Sequence, residues 1–364
     1  MDRLYDFAID ATVILAVVVV LLAAYAVLNR RISDRRQADA RRLQPILQQV
    51  LQSYLAGGIP LIEAKQQLGT DRKQALAALL VAASGGIRND QAALRPLFVE
   101  LGLEDDALAA LRHRDSAVRA RAAVHLGYMG DQGAAHALMN ALRDDQLDVR
   151  LCSAQALVQL QHLPAVPAIL EALALPGRWA CQRATELVYG MGMPVVAPLQ
   201  HMLESAAVHT PETLVVALNV LGLLRSHAAP GRIESLLTHP GTEVRVAAAR
   251  ALETVGDEHC EQPLMAALQD PEWEVRSAAA KSLGTLQLPA ALPALQTALA
   301  DPGWWVRYNA ASAIAALGEY GVRALRHAMD TQADAFARDI SHQVLWERGA
   351  LRSVESRTAE GVKP

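Results

Sequence analysis

The sequence is dominated by one helical signature that recurs at a nearly constant interval. Each copy carries an arginine, most often in a Val-Arg pair, and these positions form what we call the arginine ladder: Arg119, Arg150, Arg245, Arg276, Arg307 and Arg338. The first two are 31 residues apart, the last four follow one another at 31, and a gap of 95 separates the two groups. Self-similarity at this period predicts a solenoid, in which each unit buries its apolar face only against its neighbours.

Each unit is predicted to contain a helix A, a turn, a helix B and a second turn. One apolar position recurs in helix A, and the residue four places before it is always Ala or Ser, at Ala122, Ser153, Ala184, Ala217, Ala248, Ala279, Ala310 and Ser341. Because residues four apart share a helix face, these small side chains let adjacent A helices approach closely. Helix B repeats leucine in the same register, at Leu142, Leu173, Leu237, Leu268 and Leu299. Asp270-Pro271 and Asp301-Pro302 predict helix starts, since Asp caps open amide groups and Pro suits a first turn.

A long apolar segment precedes the repeats. Residues 11–28 contain no charge, and the stretch extends to residue 7 past one aspartate. Such a length is about one hydrocarbon core, so we predict a retained transmembrane helix rather than a cleaved signal peptide. Six arginines follow it: Arg30, Arg31, Arg35, Arg36, Arg41 and Arg42. They predict a single-pass protein of a bacterial inner membrane, with the amino terminus outside and the repeats in the cytoplasm. The arginines either set this topology alone or also hold the segment against anionic lipid headgroups.

The predicted fold is therefore all-α, an α-solenoid preceded by a single transmembrane helix. A hydrophobic content of 52% with only 4% aromatic residues suits closely packed helices better than strands. The predicted segments are a short extracytoplasmic terminus (1–6), the membrane helix (7–28), a basic juxtamembrane segment (29–42), a divergent helical cap (43–114), the repeat array (115–351) and a polar tail (352–364).

The repeated motif resembles that of the HEAT-repeat family, in the short form of about 31 residues also found in phycobilisome lyases. The match is to D-x-x-V-R-x-x-A-A-x-x-L-G. Residues 301–314 show its V-R-x-x-A-A part, with Ile314 at the leucine position and Asp301 further upstream, and the resemblance covers about two thirds of the chain. The resemblance implies a curved stack of helix pairs used for protein–protein contact. It would also permit lyase-like handling of a chromophore.

Two sets of residues are candidates for function. The arginine ladder binds a partner's carboxylates or, as the favoured interpretation, pairs internally with acidic residues of an adjoining turn. Four tryptophans fall at the turn that enters helix A: Trp179, Trp273, Trp304 and Trp305. Because tryptophan is over-represented at binding hot spots, they are the candidate partner-binding residues; the alternative is that each folds over its own turn.

Other classes of site find little support in the sequence. Eleven histidines and three cysteines show no metal-ligand spacing, so we predict no metal and no cofactor site. No nucleophile motif or phosphate loop is present. The net charge of −4 disfavours nucleic acid, which needs a basic surface.

These observations lead to three hypotheses for the function. The first is a non-catalytic membrane-anchored scaffold that binds a partner protein of unknown identity. The second is a lyase-like enzyme or chromophore-handling protein, which rests on the family resemblance. The third, a nucleic-acid binder, is disfavoured by charge.

Overall fold

The computed structural model describes residues 43–69, 71–85, 89–226 and 230–349. Within these ranges the chain is helical and contains no strand. They form two compact units: one comprises the described residues up to Arg114 with Val124–Asp131, and the other comprises Asp115–Ala123 with the described residues from Gln132 onward. The prediction of an all-α architecture is confirmed.

The first unit contains five short helices: α1 (residues 43–55), α2 (Leu61–Leu68), α3 (Arg72–Gly85), α4 (Asn89–Glu100) and α5 (Leu103–Ala110). Leu94, Leu97 and Phe98 of α4 are fully buried and form part of its core. The Nζ of Lys65 lies 2.6 Å from a carboxylate oxygen of Glu100, which ties α2 to the end of α4. The assignment of residues 43–114 as a cap for the array stays a prediction.

The repeats are pairs of A and B helices. The A helices are α6 (Ser116–Met129), α8 (Leu147–Gln159), α10 (Arg178–Tyr189), α12 (Pro211–Leu223), α14 (Thr242–Val255), α16 (Trp273–Leu286), α18 (Trp304–Ala316) and α20 (Ala335–Glu347). The B helices are α7 (Ala135–Ala141), α9 (Val166–Leu173), α11 (Val196–Glu204), α13 (Pro230–Ser235), α15 (Glu261–Ala267), α17 (Leu292–Ala298) and α19 (Glu319–Thr331). Short 3-10 turns lie at Gln132–Ala134, Leu163–Ala165, Met193–Val195, Ala206–Val208, Leu236–Thr238, Glu258–Cys260 and Pro289–Ala291.

The recurring small residues of helix A are buried throughout the array. All eight, from Ala122 to Ser341, are exposed by 2% or less, and so is the apolar residue four places after each. This burial gives every A helix the same interior stripe, and the predicted α-solenoid of helix pairs is confirmed.

Two glycines of the A helices lie against the neighbouring A helix, about one turn away from these small residues. A methyl group added to Gly284 of α16 would lie 2.7 Å from both the Cα and the Cβ of Ala313 in α18. The corresponding glycine of α12, Gly222, is less tightly packed, since an added methyl group would lie 3.3 Å from the Cα of Ala251. Glycine at these positions therefore sets how near the neighbouring A helix can lie.

Two A helices begin later than their Asp-Pro pairs predict. Helix α16 starts at Trp273 and α18 at Trp304, after the extended residues Glu272 and Gly303. Asp270 and Asp301 do not cap them; instead, each accepts a hydrogen bond from the amide two residues on, at 2.9 and 2.7 Å. This turn leaves the carboxylate aimed at an arginine of the preceding A helix.

The predicted location in a bacterial inner membrane, with the repeats in the cytoplasm, is corrected. No helix among the described residues is long and apolar enough to cross a membrane. The longest of the named helices have 14 residues, which is about 21 Å at 1.5 Å per residue. A hydrocarbon core is about 30 Å thick, so such a helix is too short. The predicted membrane helix itself, residues 7–28, lies outside the described residues, as do residues 29–42 and 352–364.

Candidate functional site

Three arginines of the ladder hold an aspartate of the following turn in a two-pronged ion pair. The Nε and Nη2 atoms of Arg245 donate to the two carboxylate oxygens of Asp270, at 2.7 and 2.9 Å. Arg276 binds Asp301 with the same distances, and Arg119 binds Asp144 at 2.7 and 2.8 Å. Each pair links an A helix to the turn before the next A helix, which is the geometry that an internal, supporting role requires.

The pairing also shows in the acidity of the aspartates. The hydrogen bond from Arg119 is the main reason that the pKa of Asp144 falls to about 2. Burial raises the pKa of Asp270, but hydrogen bonds from Arg245 and from a backbone amide outweigh it, so this pKa lies below its usual range. Both carboxylates are therefore charged at neutral pH.

Within the described residues, the other ladder arginines have no paired carboxylate in the following turn. Arg150, Arg307 and Arg338 donate from Nη1 to backbone carbonyls five and six residues earlier, as Arg245 and Arg276 also do. Arg307 is only 8% exposed, its Nε has no hydrogen-bond acceptor among the described residues, and its guanidinium lies 4.8 Å from the centre of the Phe336 ring. The position of the missing aspartate is occupied by Gln332.

The tryptophans predicted to bind a partner all lie at the surface. Trp273, Trp304 and Trp305 are 43, 42 and 54% exposed, and Trp179 is 83% exposed. The rings of Trp304 and Trp305 meet edge to face with their centres 4.7 Å apart, and Tyr308 stacks on Trp304 at 5.2 Å. These three residues form what we call the aromatic cluster. Their role in binding stays a prediction.

A groove opens on the surface of the array where the ladder is interrupted. At the ladder positions of α10 and α12 the arginine is replaced by Cys181 and Leu214. The groove has a volume of about 970 Å³ and is lined by α10, α12, α14 and the first turn of α16. Among the side chains that the structure describes, its charged lining residues are four glutamates and one arginine: Glu186, Glu212, Glu243, Glu274 and Arg250. This acidity opposes binding of nucleic-acid phosphates.

The cysteines do not provide an activated thiol. Burial is the main cause that raises the pKa of Cys152, of Cys181 in the groove and of fully buried Cys260, whose pKa reaches about 12. A thiol with a raised pKa is protonated at neutral pH and is a poor nucleophile. Within the described ranges, no three His, Cys, Asp or Glu side chains are grouped so that they could hold a metal ion.

The structure brings together residues that the sequence analysis did not single out. Glu212, Glu243 and Glu274 occupy the same repeat position, five residues before the small residue of helix A, and an alignment of the repeats would have found them. Tyr308 of the aromatic cluster carries no such signal. The six arginines predicted to contact a membrane surface, from Arg30 to Arg42, lie outside the described residues.

Comparison with known proteins identifies the repeat. The family model for HEAT repeats matches residues 104–189, 229–315 and 261–346. The bilin biosynthesis protein PecE from Mastigocladus laminosus is 34% identical over 155 residues, which cover 40% of this chain and 56% of that protein. The phycocyanobilin lyase subunit alpha of a Picosynechococcus species is 31% identical over 156 residues, which cover 38% of this chain and 58% of that protein. The chain thus spans little more than half the length of these curated relatives.

A solved structure of a phycocyanin lyase is also similar to this chain. The complex of CpcE and CpcF of phycocyanin lyase from a Nostoc species matches at 23% identity with a TM-score of 0.30, over 66% of this chain and 94% of that chain. The family resemblance inferred from the motif is confirmed by the family model. Because the matched segments together cover more than half of its residues, this chain belongs to the HEAT-repeat family.

Proposed function

We propose that this HEAT-repeat protein handles a chromophore or a similar cofactor together with a partner protein, as a lyase-type component. The observation that carries the proposal is the similarity to two curated proteins named for bilin biosynthesis and for a phycocyanobilin lyase, at 34 and 31% identity. It favours the lyase-like hypothesis over the non-catalytic scaffold.

The chemistry of the described residues limits what this chain contributes to such a reaction. All three of its cysteines have a raised pKa, so it offers no activated thiol for a covalent intermediate. Its contribution is therefore to bind and orient the chromophore or its protein acceptor.

The proposal is tested by pigment binding. The purified full chain is mixed with phycocyanobilin and passed through a size-exclusion column while visible absorbance is recorded. We expect pigment to elute with the protein and its absorption band to shift. Riboflavin, another planar chromophore, serves as the control for unspecific adsorption. A protein that elutes colourless, or that retains both pigments alike, would contradict the proposal.

A second candidate function is that of a scaffold that recruits a partner protein without chemistry of its own. The aromatic cluster supports it, because Trp304 and Trp305 expose about half of their surface, and exposed tryptophans concentrate binding energy. The test is crosslinking in cells with the wild type, with Trp304→Ala/Trp305→Ala and with Tyr320→Ala, which removes an exposed ring from α19. A partner that the first variant loses and the second retains would support this function. If the wild type and both variants crosslinked to a partner equally, that partner would bind to another surface and the aromatic cluster would have no part in it.

A further inference from the structure

The groove is a face of the A helices that the rest of the array leaves uncovered. It runs across three successive A helices, α10, α12 and α14, and ends at the first turn of α16. Its floor includes the apolar side chains of Val215 and Val246. A floor of this kind, with a volume of about 970 Å³, is large enough for a peptide segment.

One edge of the groove carries a regular row of charge. Glu212, Glu243 and Glu274 lie in the first turns of α12, α14 and α16, at the same repeat position. Glu243 and Glu274 are exposed and Glu212 is half-buried, and none of them takes part in an ion pair within the described part of the chain. Burial is the main cause that raises the pKa of the Cys181 thiol, and the charges of Glu212 and Glu243 add to it. We call these three residues the glutamate row.

The first turn of a helix is also where acidic side chains interact favourably with the helix dipole. The dipole stabilises each glutamate at its own helix, whether or not a groove is present. The helix dipole does not require that the three glutamates line one groove, as they do here. Only Glu212 lies in a helix where the ladder is interrupted, because Glu243 and Glu274 precede Arg245 and Arg276 by two residues. In α10 a small thiol, Cys181, occupies the ladder position at which Arg245 and Arg276 hold an aspartate, and it lines the groove.

The spacing of the row determines what kind of segment can follow it. Packed helices lie about 8–10 Å apart, so carboxylates at one position in successive A helices repeat at about that distance. A polyproline II segment has three residues per turn and rises about 3.1 Å per residue, so every third side chain points the same way at about 9.3 Å. The two repeats agree.

We propose that the groove binds an extended, basic segment of a partner protein, whose cationic side chains at every third position pair with the glutamate row. The apolar residues between them would contact Val215 and Val246. Arg250, a cation of the lining, faces this segment from α14 and opposes its charge. The inference needs a partner protein but does not depend on chromophore handling.

The test is a fluorescence anisotropy titration of the full chain with a labelled peptide of about nine residues that has arginine at every third position and proline and leucine between. Two comparison peptides have the same composition with the arginines adjacent, or glutamate in place of arginine. We expect the first peptide to bind most tightly, and its affinity to fall with added salt.

Two variants separate binding from helix stability. Glu212→Gln/Glu243→Gln/Glu274→Gln removes the row, and Glu258→Gln/Glu261→Gln/Glu319→Gln removes the same charge from first turns that do not line the groove. We expect the row variant to bind about tenfold more weakly and the control within about twofold of the wild type, since exposed ion pairs are worth about 0.2–1 kcal/mol each. Arg250→Gln is expected to bind about threefold more tightly, a gain that damage to the fold would not produce.

Three results would overturn the inference: equal binding by the row and control variants, equal or tighter binding of the glutamate peptide, or weaker binding by Arg250→Gln. Loss of the spacing preference would reject the extended geometry. Pigment binding is measured separately, so failure of the peptide test leaves the proposed function standing.

Discussion

The contact between α16 and α18 at Gly284 permits a quantitative test of how the repeats are spaced. In Gly284→Ala, the new methyl carbon would lie 2.7 Å from two carbons of Ala313, whereas non-bonded carbons prefer about 3.5–4.0 Å. The helices must therefore separate by about 1 Å or bend. Overpacking of this kind costs about 1–3 kcal/mol, and alanine recovers about 1 kcal/mol of helix propensity. We expect the free energy of unfolding to fall by about 1 kcal/mol.

The matched control is Gly222→Ala in α12. This glycine has the same repeat position and would gain the same methyl group, but its nearest carbon contact would be 3.3 Å, which a shift of a few tenths of an ångström relieves. Here the propensity gain should balance or exceed the packing cost, so the variant should be neutral or up to about 1 kcal/mol more stable. Urea unfolding followed by circular dichroism measures both, with the slope of the transition checked for constancy. If Gly284→Ala were as stable as Gly222→Ala, the spacing argument would be refuted.

Three further predictions concern the ladder and the interior stripe. Gln332→Asp should give Arg307 the paired carboxylate it lacks and raise the free energy of unfolding by about 1–2 kcal/mol, whereas Gln332→Asn, which adds no charge, should not. Because the hydrogen bond from Arg119 lowers the pKa of Asp144 to about 2, this aspartate contributes stability that is complete above about pH 4 and is lost as the pH falls toward 2. The difference in unfolding midpoint between the wild type and Asp144→Asn should therefore shrink over that range, and a constant difference would contradict the pairing. Ala310→Leu should lower the melting temperature, since this residue is fully buried between helices; an unchanged melting curve would show that the stripe tolerates bulk.

The repeat length, the helix pairs and the buried stripe could all be predicted from the sequence. The signal is local: a period of 31 residues and an Ala or Ser four places before each apolar position fix which face of helix A is interior. The sequence also predicts that ladder arginines pair with acidic residues of an adjoining turn. The contribution of these pairs to stability is still a prediction. The membrane assignment came from an apolar stretch outside the described residues, and the structure of the described ranges did not support the location drawn from it.

Other features of the fold depend on distances between segments that are far apart in the chain, so they become visible only once the helices are packed. Asp270 and Asp301 look like helix caps in the sequence, but their carboxylates bind Arg245 and Arg276 from the preceding A helix, 25 residues away. The tight contact of Gly284 with Ala313 and the opening of the groove beside Cys181 likewise arise from how neighbouring repeats pack. A periodic pattern tells which face of a helix is buried. It does not tell how close the next helix lies or which faces stay uncovered, because those follow from the shapes of side chains that meet only after folding.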